Sequence, residues 1–320
     1  MQMCKCGASS MHLHICTSAH QKIKSVSVLS LHNISKRYGA IQALSGVSFE
    51  VPPGSVFGIL GPNGSGKTTL LGIVTDVLKA DEGTYRLFDA QPAGHLRRQI
   101  GTLLETPNFY HYLTAYQNLQ VAAAIKQKPE QDISRVLEIA GLTARQHSRF
   151  KTYSLGMKQR LAIASALLGD PGVLILDEPT NGLDPAGIAE VRQLVLRLAE
   201  TGKTIILASH LLDEVEKVCS HVAILQKGKL LLSGPVNEVL AREDYVELSG
   251  PDNTVLEGVL VRHPAFSHIL GRNGHLQVVF SQPVDLAALN AYCAEQGVWL
   301  NHLHIRKQSL ERAFLQLTNN

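Results

Sequence analysis

Residues Gly61 to Thr69 read Gly-Pro-Asn-Gly-Ser-Gly-Lys-Thr-Thr. A glycine-rich turn of this spacing lets backbone N–H groups wrap phosphate oxygens, and a helix starting there adds its partial positive charge. Lys67 can reach the outer phosphates of a nucleotide, and the Thr68 hydroxyl can ligate Mg²⁺. A second group follows the apolar run Val173-Leu174-Ile175-Leu176, which ends in Asp177 and Glu178. Where a strand ends and the chain turns, both carboxylates can approach one site. Asp177 can then hold Mg²⁺ through its water shell, and Glu178 can orient or deprotonate an attacking water. A third group is Tyr153-Ser154-Leu155-Gly156-Met157-Lys158-Gln159-Arg160. Ser154 precedes a helix-forming run, so its hydroxyl and the open N–H groups behind it make either an ordinary N-cap or a second anion site.

These groups need elements to hold them. Val56-Phe57-Gly58-Ile59-Leu60 before the loop reads as a strand, and Thr69 to Val74 after it as a helix. Val173–Leu176 and Thr204–Ala208 are short continuous apolar runs, suited to central parallel strands covered on both faces. Val26–Leu31 and Ala43–Phe49 alternate apolar and small polar residues, as half-buried edge strands do. Helical spacing dominates from Leu113 to about Leu168. The pattern predicts a leader without regular structure, or an over-extended start, over residues 1–26. It predicts an α/β domain over 27–240 with a helical subdomain at about 113–168, and a small α+β unit over 241–320, entered through the charged stretch Ala241-Arg242-Glu243-Asp244. In that last unit Leu276–Phe280 and Trp299–Ile305 read as strands and Leu286–Glu295 as a helix. Ser309 would cap a final helix, with Glu311 in its first turn.

The chain has 320 residues, 45% hydrophobic and 18% charged, with a net charge of +3. That balance suits a folded protein and leaves no electrostatic footprint for nucleic acid, so none is expected as a partner. No apolar run approaches the roughly 20 residues that span a bilayer, so membrane association would require another polypeptide. The five cysteines, Cys4, Cys6, Cys16, Cys219 and Cys293, are scattered and odd in number, which is no disulfide framework. Cys4, Cys6, His12, His14 and Cys16 fit no common zinc spacing. His302 and His304, two apart on an expected strand, share a face and read as structural histidines or, less simply, as a metal pair.

The five spaced motifs Gly61–Thr69, Tyr153–Gln159, Leu174–Glu178, Asn181-Gly182-Leu183-Asp184 and Ser209-His210 resemble those of the nucleotide-binding subunits of ABC transporters, in the same order. The ending Gln308-Ser309-Leu310-Glu311-Arg312-Ala313-Phe314 resembles the ABC-2 type exporters, which include bacitracin- and drug-export ATPases. The resemblance implies a P-loop NTPase cassette of α/β class: a mainly parallel core sheet, an antiparallel β edge subdomain and a helical subdomain, with a small C-terminal α+β extension. It implies an ATPase that binds ATP and Mg²⁺, sits at the cytoplasmic face of the membrane, and pairs with a transmembrane permease and with a second copy or paralogous subunit. It places Tyr38 on the adenine and Gly61, Pro62, Asn63, Gly64, Ser65, Gly66, Lys67, Thr68 and Thr69 around the phosphates. His210 contacts the γ-phosphate, Asp184 touches the opposite subunit, and Ser154 and Gly156 complete the partner's site. Glu105, with Thr68 and Asp177, lies near the metal.

Two positions depart from the family. Glu105 replaces a glutamine; a carboxylate accepts hydrogen bonds but cannot donate them, and it adds negative charge beside the γ-phosphate. Leu155 and Met157 replace a glycine and a glutamine, so the backbone at 155 must suit an ordinary L-residue. The segment Thr106–Asn118, with Asn108-Phe109-Tyr110-His111-Tyr112, would face the permease or pack as a core loop. A cassette ATPase acting on nucleic acid or the ribosome, or a nucleotide-dependent regulator, is the alternative. Such ATPases usually carry two cassettes or long insertions, and a regulator needs no base like Glu178.

Overall fold

The computed structural model describes residues 27–104, 108–240, 245–306, 310 and 314. Its centre is a six-stranded sheet in the order β5-β6-β7-β3-β8-β9. β3 (Val56–Leu60), β5 (Ile100–Leu103), β6 (Val173–Asp177), β7 (Thr204–Ser209) and β8 (His221–Gln226) run parallel, and β9 (Lys229–Pro235) returns antiparallel to β8. Every residue of β3, β6 and β7 is buried. These are the continuous apolar runs of the sequence, and they lie side by side with layers on both faces, as such runs require.

β1 (Leu29–Tyr38), β2 (Ile41–Val51) and β4 (Glu82–Leu87) form a three-stranded antiparallel sheet in the order β2-β1-β4. It packs on the central sheet through Leu29, Leu31, Ile34, Val47 and Phe49, with the Phe49 and Phe57 rings stacked at 5.2 Å. Both strands of the hairpin run further than alternation alone suggested. β1 shifts register between Leu31 and Ile34, and Asn33 there has φ +51°. The bulge inverts the alternation midway and hides the second half of the strand from a period-two reading.

α1 (Lys67–Val74) follows β3, and α2 (Gly94–Arg97) precedes β5. The helical region holds α3 (Ala115–Lys126), α4 (Asp132–Ile139) and α5 (Leu155–Leu167). Thr114 opens α3 with a capping box: its hydroxyl accepts from Gln117 N–H and the Gln117 side chain accepts from Thr114 N–H. α6 (Pro185–Glu200) links β6 to β7, α7 (Leu212–Glu216) links β7 to β8, and α8 (Val236–Leu240) ends this part of the chain.

Beyond it, β10 (Tyr245–Ser249), β11 (Phe266–Asn273), β12 (His275–Phe280) and β13 (His302–Arg306) make an antiparallel sheet ordered β11-β12-β10-β13. α9 (Asn253–Leu260) and α10 (Leu286–Glu295), capped by Asp252 and Asp285, pack on it around Leu248, Leu256, Val278 and Leu289. β13 begins at His302 rather than at Trp299, whose side chain is exposed. The His302 ring stacks on His275 at 4.1 Å, and His304 is exposed. Among the described residues no group of three or more His, Cys, Asp or Glu converges as a metal site. Ser309, Glu311, the 241–244 stretch and Cys4, Cys6, His12, His14 and Cys16 lie outside the described residues. Leu310 and Phe314 are helical and pack into the large core that surrounds α5 and α6. No described helix is long and apolar enough to cross a membrane.

Candidate functional site

β3, β6 and β7 are neighbours, so their carboxyl ends bring Lys67, Asp177, Glu178 and His210 together from distant parts of the chain. The crevice outside the carboxyl ends of parallel strands is where α/β sheets place ligands.

The loop leaving β3 packs closely against the backbone around it. A Cβ on Gly61 would stand 2.3 Å from Leu225 O and 2.5 Å from Ser65 Oγ. Gly66 has φ +105°, and a Cβ there would stand 2.6 Å from Ala43 O. Only glycine lets the loop lie this close to β2 and to β8. Gly228 N–H donates to Ser65 O and Ser45 N–H to Gly228 O, which fixes that turn against the loop and β2. Pro62, Asn63, Gly64 and Thr68 face outward, and Thr69 is half-buried. Ser65 and Lys67 are buried, and Ser65 Oγ has no hydrogen-bond partner among the described residues. α1 starts at Gly66 without a side-chain cap, so its first N–H groups stay free for an anion.

Lys67 Nζ donates to Gly61 O at 2.8 Å and to Pro62 O at 3.3 Å. It also lies 3.3 Å from Glu178 Oε1, an ionic contact rather than an aligned hydrogen bond. The other Glu178 oxygen, Oε2, is 2.8 Å from His210 Nδ1. One carboxylate therefore spans the loop lysine and the histidine after β7. Glu178 reaches both because the chain turns at the end of β6: it has φ +48°, its N–H donates to Ala208 O, and its C=O accepts from Asn181 N–H. A left-handed glutamate costs of order 1 kcal/mol or more and persists where the surroundings fix it, a pattern concentrated at functional sites. Asp177, the last residue of β6, is buried at 2% exposure. Glu105 lies outside the described residues.

Tyr38 ends β1 with its ring half-exposed and Lys36 Nζ 5.6 Å from the ring centre. Ser154 caps α5, accepting from Met157 N–H at 3.3 Å. Asp184 caps α6, accepting from Gly187 N–H at 2.9 Å. These two helix starts adjoin: a Cβ on Gly156 would lie 3.7 Å from Gly187 Cα, and one on Gly182 would lie 3.4 Å from Leu155 Cδ2. Ser154, Leu155, Gly182 and Asp184 are all exposed at these adjoining helix starts. Leu155 is the first helical residue and is not among the positive-φ positions, so replacing glycine there costs no strain.

An uncharacterized ABC transporter ATP-binding protein, YhcH of Bacillus subtilis (strain 168), is 45% identical over 299 residues, covering 91% of this chain and 96% of that protein. The chain belongs to the ABC transporter ATP-binding family. The profile of that family, described as ABC transporter, matches residues 44–181. The bacitracin transport ATP-binding protein BcrA of Enterococcus faecalis is 33% identical over 297 residues, covering 91% of this chain and 96% of that protein. Among solved structures, cbiO1 from Clostridium perfringens, part of the ABC transporter complex cbiONQ, aligns with a TM-score of 0.62 at 30% identity, over 74% of this chain and 96% of that one. The dimeric post-hydrolysis state of the cassette MJ0796, bound to ADP and phosphate, aligns with a TM-score of 0.57 at 27% identity, over 65% and 98%. This ABC chain is an ATP-hydrolysing subunit that works with a separate membrane permease.

Proposed function

We propose that Lys67, Glu178 and His210 carry out hydrolysis in an exporter ATPase whose sites are completed by a second subunit. The observation that carries this reading is the single Glu178 carboxylate in contact with both Lys67 and His210. Among the described residues, backbone carbonyls and this carboxylate are the partners of Lys67, so a phosphate is a stronger partner and draws the ammonium off Gly61 O and Pro62 O. Glu178 then accepts a proton from the water that attacks the γ-phosphorus. The bond from that phosphorus to the bridging oxygen breaks, and ADP and phosphate leave. His210 donates a hydrogen bond to the γ-phosphoryl oxygens and holds the Glu178 carboxylate in place. The Ser65 hydroxyl and the uncapped start of α1 fit the remaining phosphate oxygens. Mg²⁺ suits the donors Thr68 and Asp177; when bound it would neutralise phosphate charge. Tyr38, half-exposed at the end of β1, would stack on the adenine.

The face of Ser154, Gly156 and Asp184 would meet the nucleotide of the second subunit, where a helix start favours an anion. Tyr110 and Tyr112 are exposed, while Phe109 packs edge-on against Phe150 at 5.2 Å. The two tyrosines, with Val121 and the exposed Ile125, line a groove of about 700 Å³ suited to the permease. The subunit then sits peripherally at the cytoplasmic face of the membrane. Relatives named for bacitracin transport and, in Streptococcus pyogenes, for lantibiotic transport favour a peptide antibiotic as cargo. Purified chain with Mg²⁺ and ATP should release phosphate, and Lys67→Ala should not. Equal rates for the two proteins would refute the assignment.

A further inference from the structure

α7 is five residues long and begins two residues after His210. A helix this short does not hold its own position; its neighbours must. Gly58 lets it settle on the sheet, since a Cβ there would stand 2.6 Å from Val215 Cγ1. From one side Arg192 Nη1, midway along α6, donates to Glu214 Oε2 at 2.7 Å. From another, Leu310 N–H donates to Glu216 Oε2 at 2.9 Å, and Leu310 itself is fully buried. Lys217 Nζ takes the second Glu214 oxygen at 3.1 Å. The Arg192 and Glu214 side chains are 25% and 19% exposed. Burial alone would raise the Glu214 carboxyl. The hydrogen bonds from Lys217 and Arg192, with their charges, outweigh it and hold the group below its ordinary value. Beside the pair lies a cavity of about 30 Å³ bordered by Pro179, Thr180, Val191, Ser209 and Val215. Packing between the turn after Glu178, α6 and the end of β7 thus leaves a small gap, and beside it the ion pair bridges α6 and α7.

The two helices joined by this pair are the one that starts at Asp184 and the one that follows His210. We propose that Arg192 and Glu214 are positioning residues for hydrolysis: their ion pair fixes the segment carrying His210 relative to α6 and so keeps the histidine on Glu178. This inference rests on the reading of Glu178 and His210 as the hydrolytic pair. Neither Arg192 nor Glu214 contacts the phosphate loop, so their loss acts on turnover and not on nucleotide binding.

The test compares Arg192→Met, Glu214→Gln and Arg192→Lys in the full chain, measuring steady-state phosphate release, the Kd of a fluorescent ATP analogue and the thermal midpoint. Arg192→Met and Glu214→Gln should each lower kcat about tenfold, with KM and Kd within about twofold, since a shift of about 1 Å in a reacting group can cost up to about 100-fold. Arg192→Lys, whose ammonium still reaches the carboxylate, should keep most of the parental kcat. Parental kcat per folded molecule in Arg192→Met overturns the proposal, and so does Arg192→Lys failing like Arg192→Met. Glu178→Gln is assayed alongside. If it hydrolyses ATP at the parental rate, the reading of Glu178 fails and takes this inference with it. If it is inactive while Arg192→Met is normal, only the positioning role fails.

Discussion

Glu178→Gln separates the two roles proposed for this carboxylate. The substitution keeps shape, so the left-handed turn at φ +48° and the Glu178 N–H bond to Ala208 O survive. It removes a unit negative charge 3.3 Å from Lys67 Nζ, worth about 5 kcal/mol of attraction at an effective dielectric of about 20, most of it offset by the cost of burying both ions. Lys67 keeps its two carbonyl partners and becomes freer to move to a phosphate. Nucleotide affinity should hold or rise, because a carboxylate facing the phosphates has gone. Proton transfer loses its acceptor, an effect of about 10² to 10⁴ in rate, or about 2.7 to 5.4 kcal/mol of barrier. Single-turnover hydrolysis of γ-labelled ATP, read beside equilibrium binding, measures both. Weaker binding with less than about a tenfold loss of rate would refute the reasoning, since it would make Glu178 a brace for Lys67 rather than the proton acceptor.

Gly66→Ala should abolish nucleotide binding and lower the melting midpoint, because the new Cβ would meet Ala43 O at 2.6 Å in a left-handed backbone; calorimetry and a nucleotide titration check both. Gly156→Asp should leave the fold intact, since a Cβ there meets nothing closer than 3.7 Å and an acidic residue suits the first turn of a helix. It should suppress hydrolysis by placing an anion where a partner's phosphate must come; an unchanged rate would contradict the shared-site reading. Arg306 donates to Glu247 at 2.8 Å; this bond, with help from Gln277 and against a smaller effect of burial, holds the Glu247 carboxyl below its ordinary 4.5. A depressed carboxyl stabilises the fold above its unfolded value and loses that contribution as pH falls through the folded value. Thermal melts of the parent and Glu247→Gln should therefore differ at pH 6 and converge as the pH drops below about 4.

The phosphate loop, the carboxylates after Leu176 and the serine before α5 were legible because each sits where one element gives way to another, and turn glycines and cap hydroxyls mark such junctions. β3, β6 and β7 were legible as unbroken apolar runs. Their adjacency, which puts Glu178 between Lys67 and His210, is a property of strand order that no local pattern carries. The left-handed backbone at Glu178 has no sequence signal either, since the residue is not a glycine. β1 was half visible because the Asn33 bulge reverses its alternation. In the C-terminal sheet, β12 and α10 stood out, while β11 and α9 did not: β11 reads Phe-Ser-His-Ile-Leu-Gly-Arg-Asn, with two register shifts that blur its faces. The Arg192–Glu214 link joins residues of types common on any helix surface, and only the packing of α6 against α7 distinguishes them.

The claim that two chains build each hydrolytic site is tested most directly by mixing two inactive proteins. Lys67→Ala lacks the loop lysine but keeps Ser154 and Gly156, and Gly156→Asp has the reverse defect. The account predicts that each alone is inactive and that an equimolar mixture releases phosphate, because a mixed dimer contains one site with both halves intact. A mixture as inactive as its components, under conditions where the parent forms dimers with ATP, would contradict it.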